Sequence, residues 1–217
     1  YPDFELVFGV ADADDPVCHE VRRLMASHPG VRARIIVGGQ DTHLDNPKVR
    51  TLVKLMSLVR SEFFVVSDSN VRVRPDYLDR MICRFENPRV GIVTNFIAGV
   101  GERSVGSMLE HLHLNSYIAT AQSFCKVVGG FTSVIGKSMA IRASALRDAG
   151  GLEPLAGYLA EDYLLGRKMA AAGYRVILIG DAVENFNAST RIDEFLDRHY
   201  RWLGMRWRIN PLSCLLE

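Results

Sequence analysis

Acidic and amide side chains follow two strand-like segments of the sequence. The segment FGVADADDP ends in Asp12, Asp14 and Asp15, and the segment FFVVSDSN ends in Asp68 and Asn70. Carboxylate and amide oxygens are hard ligands, which Mg²⁺ and Mn²⁺ prefer and usually share with substrate phosphates. In the functional interpretation these residues form a site for a divalent metal and a diphosphate, with Asp68 and Asn70 as metal ligands. The same residue types also form ordinary turns and helix caps, so a purely structural interpretation stays open.

A second feature is a pair of adjacent acids, Glu161 and Asp162, in the stretch AEDYLLG. Neighbouring residues of a helix point about 100° apart, so only one of the two acids can face a given ligand. A carboxylate in an apolar pocket has a raised pKa and becomes a usable general base. The alternative is that both acids simply favour the positive end of a helix dipole.

A third feature is the stretch RHYRW, in which Arg198, Arg201 and Trp202 share one helical face. Guanidinium groups bind phosphate oxygens in a bidentate way, and an indole ring provides a flat wall for a sugar or a lipid. The helix continues as LGMRWRIN, which adds arginines and a tryptophan without an acid. This composition is typical of a helix at an anionic membrane surface. A surface helix with aromatic residues facing the core is the alternative.

Two other patterns carry no function in this interpretation. The stretch GKS at 136–138 resembles the end of a phosphate-binding P-loop, but that motif needs a glycine where Phe131 stands. His111 and His113 are two residues apart, so on a helix they face different ways and we interpret them as structural.

These residues are carried by strand-like and helix-like segments that alternate along the chain. The alternation predicts an α/β fold with a largely parallel sheet, in which ligands bind beyond the carboxyl ends of the strands. The predicted strands cover 4–10, 31–37, 63–66, 90–94, 137–142 and 174–179. The predicted helices cover 17–27, 48–60, 75–85, 105–125, 144–149, 159–172 and 192–209, and a polar loop covers 38–47.

The bulk composition fits one domain over residues 1–217. Lys and Arg total 26 and Asp and Glu total 25, so no overall field attracts nucleic acid. The four cysteines, Cys18, Cys83, Cys125 and Cys214, are scattered, and we interpret them as reduced thiols in a cytosol-facing protein. No apolar run approaches the length of a transmembrane helix, and no signal peptide is recognisable.

Four motifs in order resemble those of a known enzyme family. DADDP, SDSNVRV, LAEDY and RHYRW follow the D, D, D, (Q/R)-x-x-R-W pattern of processive-type, family 2-like glycosyltransferases. More closely, the chain resembles the family 21 ceramide glucosyltransferases and their bacterial relatives acting on hopanoids. Stretches between the motifs, such as NPKVRTL, GKSMAIR and AGGLEPLAGYLAEDYLLGRKMAAAGYRV, also read like that family, so the resemblance covers nearly the whole chain.

The resemblance implies a GT-A fold, which is a Rossmann-like nucleotide-sugar-binding fold with a mixed, mostly parallel sheet. It also implies a UDP-sugar donor, with UDP-glucose expected. By this carry-over Asp15 belongs to the donor nucleotide site, Asp68 binds the diphosphate through Mg²⁺ or Mn²⁺, and Asp162 is the catalytic base. Lys48 stands where the family has a basic residue near the donor. Asn70 departs from a strict D-x-D motif and implies one charged metal ligand fewer.

By the same resemblance, Arg198, Arg201 and Trp202 hold the diphosphate leaving group and the acceptor end. The family has a first core strand upstream and membrane helices on both sides. We therefore expect that this chain is a fragment that lacks the first strand of the sheet. We also expect that the last helix, 191–209, lies at a membrane surface, with the catalytic domain facing the cytoplasm.

The implied reaction is an inverting transfer of a hexose to the hydroxyl of a lipid such as ceramide. A hopanoid or another lipid acceptor, with UDP-GlcNAc or UDP-galactose as donor, is the first alternative. A phosphohydrolase of the haloacid dehalogenase type is less favoured, because Pro16 follows the acids where that motif needs Thr or Val. An inactive membrane-binding module is a further alternative.

Overall fold

A computed structural model describes residues 3–38 and 45–209. The strands are β1 (Leu6–Val10), β2 (Ala33–Val37), β3 (Phe63–Ser67), β4 (Val71–Arg72), β5 (Val90–Val100), β6 (Ser138–Arg142) and β7 (Arg175–Phe186). The α-helices are α1 (Val17–Ser27), α2 (Pro47–Leu58), α3 (Tyr77–Ile82), α4 (Val105–Leu112), α5 (Ala119–Val127), α6 (Ala143–Asp148), α7 (Glu161–Ala171) and α8 (Ile192–Ile209). Most of the predicted polar loop, Pro211 at the predicted helix end, and Cys214 lie outside the described residues.

The helix predicted over 105–125 is divided into three parts. A π-helical segment, His113–Ile118, separates α4 from α5. The amide side chain of Asn115 accepts a hydrogen bond from the Gly99 N–H at 2.7 Å and donates one to the Gly99 carbonyl at 3.1 Å. The widened turn is therefore fastened to β5, and such π-bulges are typical of functional sites.

The described strands form two sheets. β1 pairs with β2 in parallel, and a five-stranded sheet has the order β3-β6-β5-β7-β4. Within the larger sheet β3, β5 and β7 run in one direction, whereas β4 and β6 run antiparallel to their neighbours. The expected α/β architecture with a mixed sheet is confirmed. The missing first strand stays a prediction.

Two strands are longer than the sequence predicts. β5 continues to Val100 and β7 to Phe186, and the extensions pair with each other in parallel. They contain glycines and polar residues, which hide the strand pattern in the sequence. Their pairing carries β7 as far as Asn185 and Phe186, and β4 joins this edge.

Apolar residues alternate between the two faces of the five-stranded sheet. Met139 and Ile141 of β6 face one core and Ala140 faces the other, as expected for a strand with a period of two. The first core contains residues of α2, α6 and α7, and the second contains residues of α3, the π segment and the 3₁₀ turn Cys83–Glu86. α8 lies outside both cores and packs against α4.

Candidate functional site

The end of β3 and the start of β6 lie side by side because these two strands are antiparallel. Their register pairs Ser67 with Ser138, so the residues after β3 meet the residues before β6. The backbone N–H of Asp68 donates to the carbonyl of Lys137 at 3.1 Å. This contact places the predicted metal ligand beside the GKS stretch, which sequence reasoning had set aside.

The carboxylate of Asp68 lies between two lysines. Its Oδ1 is 3.5 Å from Nζ of Lys48, and its Oδ2 is 3.4 Å from Nζ of Lys137. The Lys137 ammonium also donates to Oδ1 of Asn70 at 3.2 Å, and the Asn70 amide donates to Oδ1 of buried Asn185 at 3.0 Å. Asp68 and Asn70 are therefore neighbours, as the sequence predicts, and one ammonium group bridges them.

Lys48 joins Asp68 to the start of α7. Its Nζ is 3.5 Å from Oε1 of Glu161 and donates to the carbonyl of Gly136 at 3.1 Å. Burial lowers the pKa of Lys48, but the charges of Asp68, Glu161 and Asp162 outweigh burial and raise it overall. Lys48 is therefore a fixed positive charge at the centre of this cluster.

Asn46 orients the helix that carries Lys48. Its side chain caps α2 by accepting hydrogen bonds from the N–H groups of Lys48 and Val49. Its amide donates to Oε2 of Glu161 at 3.1 Å and to the carbonyl of Tyr158 at 2.9 Å. One side chain thus connects the first turns of α2 and α7, a link that no local pattern in the sequence reveals.

The two acids at the start of α7 have different environments. Glu161 is only 6% exposed, and burial, with the nearby charge of Asp162, raises its pKa, although Lys48 opposes the shift. Asp162 is half-buried, and its Oδ2 accepts a hydrogen bond from the N–H of Gly136 at 2.6 Å. The burial argument for a general base therefore applies to Glu161, while the assignment of Asp162 as the base stays a prediction.

Gly136 lies between the side chains of Lys48 and Asp162 and contacts both. A Cβ atom at this position would lie 2.6 Å from Nζ of Lys48 and 3.1 Å from Oδ2 of Asp162. Only glycine allows this approach without a shift of either side chain. The GKS stretch does not form a P-loop, but Gly136 and Lys137 lie at the centre of the site. The sequence feature that could have indicated their role is the stretch GKSMAIR, which is part of the family resemblance.

Asp15 has the contacts of a turn residue. Its Oδ1 accepts from the N–H of Val17 at 2.9 Å at the start of α1, and Oδ1 of Asp12 accepts from the N–H of Asp14 at 3.1 Å. No hydrogen bond or ion pair joins Asp15 to Asp68 among the residues that the structure describes. Its place in the donor nucleotide site stays a prediction.

The three side chains of the predicted patch on α8 make different contacts. Arg198 donates to the carboxylate of Glu110, which is 2% exposed and also accepts from Asn187 and Thr190. Trp202 packs beside the rings of His113 and His199, with the centroids 5.9 and 5.2 Å away. Arg201 is exposed and, together with Arg198, lines a cavity of about 680 Å³ beside α8.

The assignment of these three side chains to the diphosphate leaving group and the acceptor end stays a prediction. Arg198 is committed to Glu110, a buried acid on α4 that sequence reasoning missed because the two residues are far apart in the chain. Within the described residues, no hydrogen bond or ion pair connects Arg198 or Arg201 to Asp68 or Asp162. Both guanidinium groups of the motif border the cavity beside α8, and Arg201 is the more exposed of the two.

Replacing Arg198 is expected to destabilise the fold. Arg198→Met leaves the buried carboxylate of Glu110 without its counter-charge, and we expect a loss of about 2–4 kcal/mol in the free energy of unfolding. This expected loss of stability is smaller than the loss for a fully buried ion pair, because the Arg198 side chain is 34% exposed. Urea unfolding measures the change, and the exposed Arg208→Met on the same helix serves as control, with an expected change within about 0.5 kcal/mol.

A second substitution separates loss of packing from loss of charge compensation. Adding Glu110→Gln to Arg198→Met should restore part of the stability, since the uncompensated charge is then removed. Equal stabilities of Arg198→Met and Arg208→Met would show that the pair does not hold α8 on α4.

The donor set at Asp68 and Asn70 fits a hard divalent cation that is shared with phosphate groups. One carboxylate and one amide oxygen are few ligands, and Mg²⁺ typically takes one or two carboxylates and completes its shell with phosphates and water. No group of three or more His, Cys, Asp or Glu suited to a metal occurs in the described part of the chain. Asp68 and Asn70 are the residues that would hold such an ion.

Comparison with known proteins identifies the family and the fold of this chain. The family model described as glycosyl transferase family 21 matches residues 1–217. Ceramide glucosyltransferase 3 of Caenorhabditis elegans is 28% identical over 221 residues, an alignment that covers 100% of this chain and 47% of the relative. The chain therefore spans about half the length of that curated relative.

Solved structures share the fold at low identity. A mannosyltransferase from Pyrobaculum calidifontis in complex with GDP-Man and Mn²⁺ has a TM-score of 0.67 at 18% identity, over 92% of this chain and 52% of that one. GalNAc-T7 with UDP, GalNAc and Mn²⁺ has a TM-score of 0.56 at 10% identity, over 85% of this chain and 37% of that one. Both similarities show that the fold is GT-A, as the resemblance implies.

Proposed function

Because this chain belongs to glycosyltransferase family 21, we propose that it transfers a hexose from a UDP-sugar to the hydroxyl of a lipid. UDP-glucose is the expected donor and ceramide the expected acceptor, with inversion at the sugar carbon. The observation that carries the proposal is one cluster in which Asp68 is flanked by Lys48 and Lys137, and Lys48 connects it to Gly136, whose N–H donates to Asp162. Such a cluster offers cations for a diphosphate and a carboxylate for a proton.

In this proposal Asp68 and Asn70 hold Mg²⁺ or Mn²⁺, which when bound withdraws charge from the diphosphate leaving group. Lys48 fixes the position of Asp68 and adds a positive charge that Glu161 anchors from the other side. The guanidinium groups of Arg198 and Arg201, which line one cavity, are assigned to the phosphate oxygens in this proposal, and Arg198 also orients α8 through Glu110. The Mn²⁺ ions in the structures of GalNAc-T7 and of the mannosyltransferase support the proposal that this chain uses a divalent metal.

Asp162 takes the proton from the acceptor hydroxyl as the oxygen attacks the sugar C1. The Gly136 N–H holds one carboxylate oxygen, and the N–H of Tyr163 donates to the other at 2.7 Å, so the carboxylate is oriented before substrate binds. The transfer proceeds in one displacement without a covalent sugar–enzyme intermediate. A nucleophilic serine or cysteine is therefore not required.

The identity of the proposed acceptor is inferred from the relatives of this chain. The Caenorhabditis elegans relative is a ceramide glucosyltransferase, and this supports the same pair of ceramide and glucose here. A hopanoid or another lipid, or UDP-GlcNAc or UDP-galactose as donor, is the alternative within the same reaction class. Incubation of the chain with labelled UDP-glucose and ceramide in vesicles tests the proposal, and transfer from UDP-GlcNAc or UDP-galactose alone would select the alternative donors.

We also propose that the chain binds the cytoplasmic surface of a membrane. α8 carries an apolar stripe, defined as Ile192, Leu196, Tyr200, Leu203 and Trp207, and each member is at least 49% exposed. The helix that packs against α8 adds the exposed residues Val105, Met108 and Leu112. An exposed apolar stripe on a helix with arginines in its last turn is typical of helices at an anionic bilayer surface. None of the described helices has the length and hydropathy needed to cross a bilayer.

Substitutions on the stripe should weaken binding to anionic vesicles. Leu196→Asp combined with Leu203→Asp puts two acids at the lipid contact, and we expect at least about a tenfold loss of partitioning into phosphatidylserine vesicles. Leu58→Asp at the end of α2 is the matched control, because Leu58 is similarly exposed but lies on another helix. Co-sedimentation measures the partitioning, and equal losses in the double variant and the control would contradict the membrane contact.

A further inference from the structure

Lys137 contacts both oxygens that the site offers to a metal. Its ammonium lies 3.4 Å from Oδ2 of Asp68 and 3.2 Å from Oδ1 of Asn70. The side chain is only 24% exposed, and its backbone carbonyl accepts from the N–H of Asp68. The pairing of β3 with β6 therefore fixes the backbone position of Lys137.

We infer that the Lys137 ammonium acts as a built-in counter-ion that a divalent metal must displace, and that the displaced ammonium then pairs with the donor diphosphate. The inference rests on the proposed function, whose metal ligands are the same two oxygens. It concerns the order of events at the site, because metal and ammonium cannot share Asp68 and Asn70.

Charge balance around Asp68 supports this exchange. Lys48 pairs with the carboxylate from the Oδ1 side while it also pairs with Glu161, and Lys137 adds a second positive charge from the Oδ2 side. A divalent cation brought to the same carboxylate meets two ammonium groups, and like charges at such short range repel strongly in a partly buried site. Divalent metal alone is thus expected to bind weakly to the free protein.

A diphosphate reverses this balance. It supplies oxygens that complete the metal's coordination shell and negative charge that attracts a released lysine. A lysine side chain has four flexible methylene groups and is a common phosphate ligand, so Lys137 can leave Asp68 without a movement of the backbone. Metal and nucleotide should therefore bind cooperatively, with Lys137 as the element that couples them.

The test is a titration of Mn²⁺ alone, followed by the paramagnetic resonance signal of the free ion, and it needs no turnover. For Lys137→Met and Lys137→Gln, which lack the ammonium group, we expect Mn²⁺ to bind at least about tenfold more tightly than to the wild type. Lys137→Arg keeps the charge and should behave like the wild type. Lys168→Met, in the last turn of α7, is the control for a general loss of positive charge.

A second titration in the presence of UDP measures the coupling. In the wild type UDP should tighten Mn²⁺ binding, and in Lys137→Met this enhancement should shrink, because the neutral side chain no longer exchanges. Unchanged Mn²⁺ affinity in both neutral variants, each shown by circular dichroism to be folded, would overturn the inference. Failure of UDP to bind any variant would instead contradict the proposed function, since the comparison with Mn²⁺ alone does not involve nucleotide.

Discussion

Asp162→Asn is expected to reduce kcat by about 10²–10⁴-fold, the usual range for loss of a general base. The substitution preserves the size and shape of the side chain, and one oxygen remains to accept from Gly136 or Tyr163. It removes the negative charge that accepts the proton of the acceptor hydroxyl. Because no hydrogen bond or ion pair joins Asp162 to Asp68 among the described residues, we expect the affinity for UDP and Mn²⁺ to stay within about threefold of the wild type.

Glu161→Gln distinguishes the two acids of the AEDYLLG stretch. Glu161 is the carboxyl with the raised pKa, but Asn46 and Lys48 already bind its two oxygens. We therefore expect Glu161→Gln to affect donor affinity more than kcat. Asp148→Asn on α6, away from the site, controls for the loss of an acid. Near-normal kcat in Asp162→Asn together with a large loss in Glu161→Gln would transfer the role of base to Glu161.

Asp68→Asn is expected to weaken metal-dependent binding of UDP by about 100-fold or more, because it removes the one charged ligand offered to the metal. The amide leaves Lys48 and Lys137 beside each other without an acid between them, which disfavours a further cation. Both ion pairs are partly exposed, so their loss should cost the fold only about 0–1 kcal/mol. A folded variant that fails to bind is thus the expected outcome.

Calorimetric titration of UDP with and without Mn²⁺ measures the effect of Asp68→Asn. Asp76→Asn is the matched control, since Asp76 also pairs with two basic side chains, Arg74 and Arg80, but lies at the start of α3. Metal-dependent UDP affinity that survives in Asp68→Asn would show that the diphosphate binds elsewhere. An equal loss in Asp76→Asn would indicate a general effect of charge.

Local sequence patterns predicted those parts of the fold that depend on local interactions. The helical periodicity gave the bounds of α1 and α8 as the structure has them. The extensions of β5 and β7 were missed, because their stability comes from pairing with each other across about 85 residues of sequence. β4, with two residues, is too short to produce a pattern.

The candidate site likewise combines residues visible in local sequence patterns with residues that only contacts distant in the chain bring together. Asp68, Asn70 and Asp162 are visible in the sequence as polar residues next to strand-like or helical segments. Lys137 was missed because only the antiparallel register of β3 and β6 brings it to Asp68. The spacing of RHYRW shows which side chains share a face of α8, but it does not show that Glu110 of α4 binds Arg198.

The configuration of the reaction product tests the proposed inverting transfer. The chain is mixed with labelled UDP-glucose, Mn²⁺ and vesicles that contain ceramide, and the glycolipid is analysed by NMR for the configuration at the sugar C1. We expect a β-linked glucosyl lipid, formed from the α-linked donor by wild-type protein and at least about 10²-fold more slowly by Asp162→Asn. An α-linked product, or the absence of any sugar transfer by protein that binds UDP, would contradict the proposed inverting transfer.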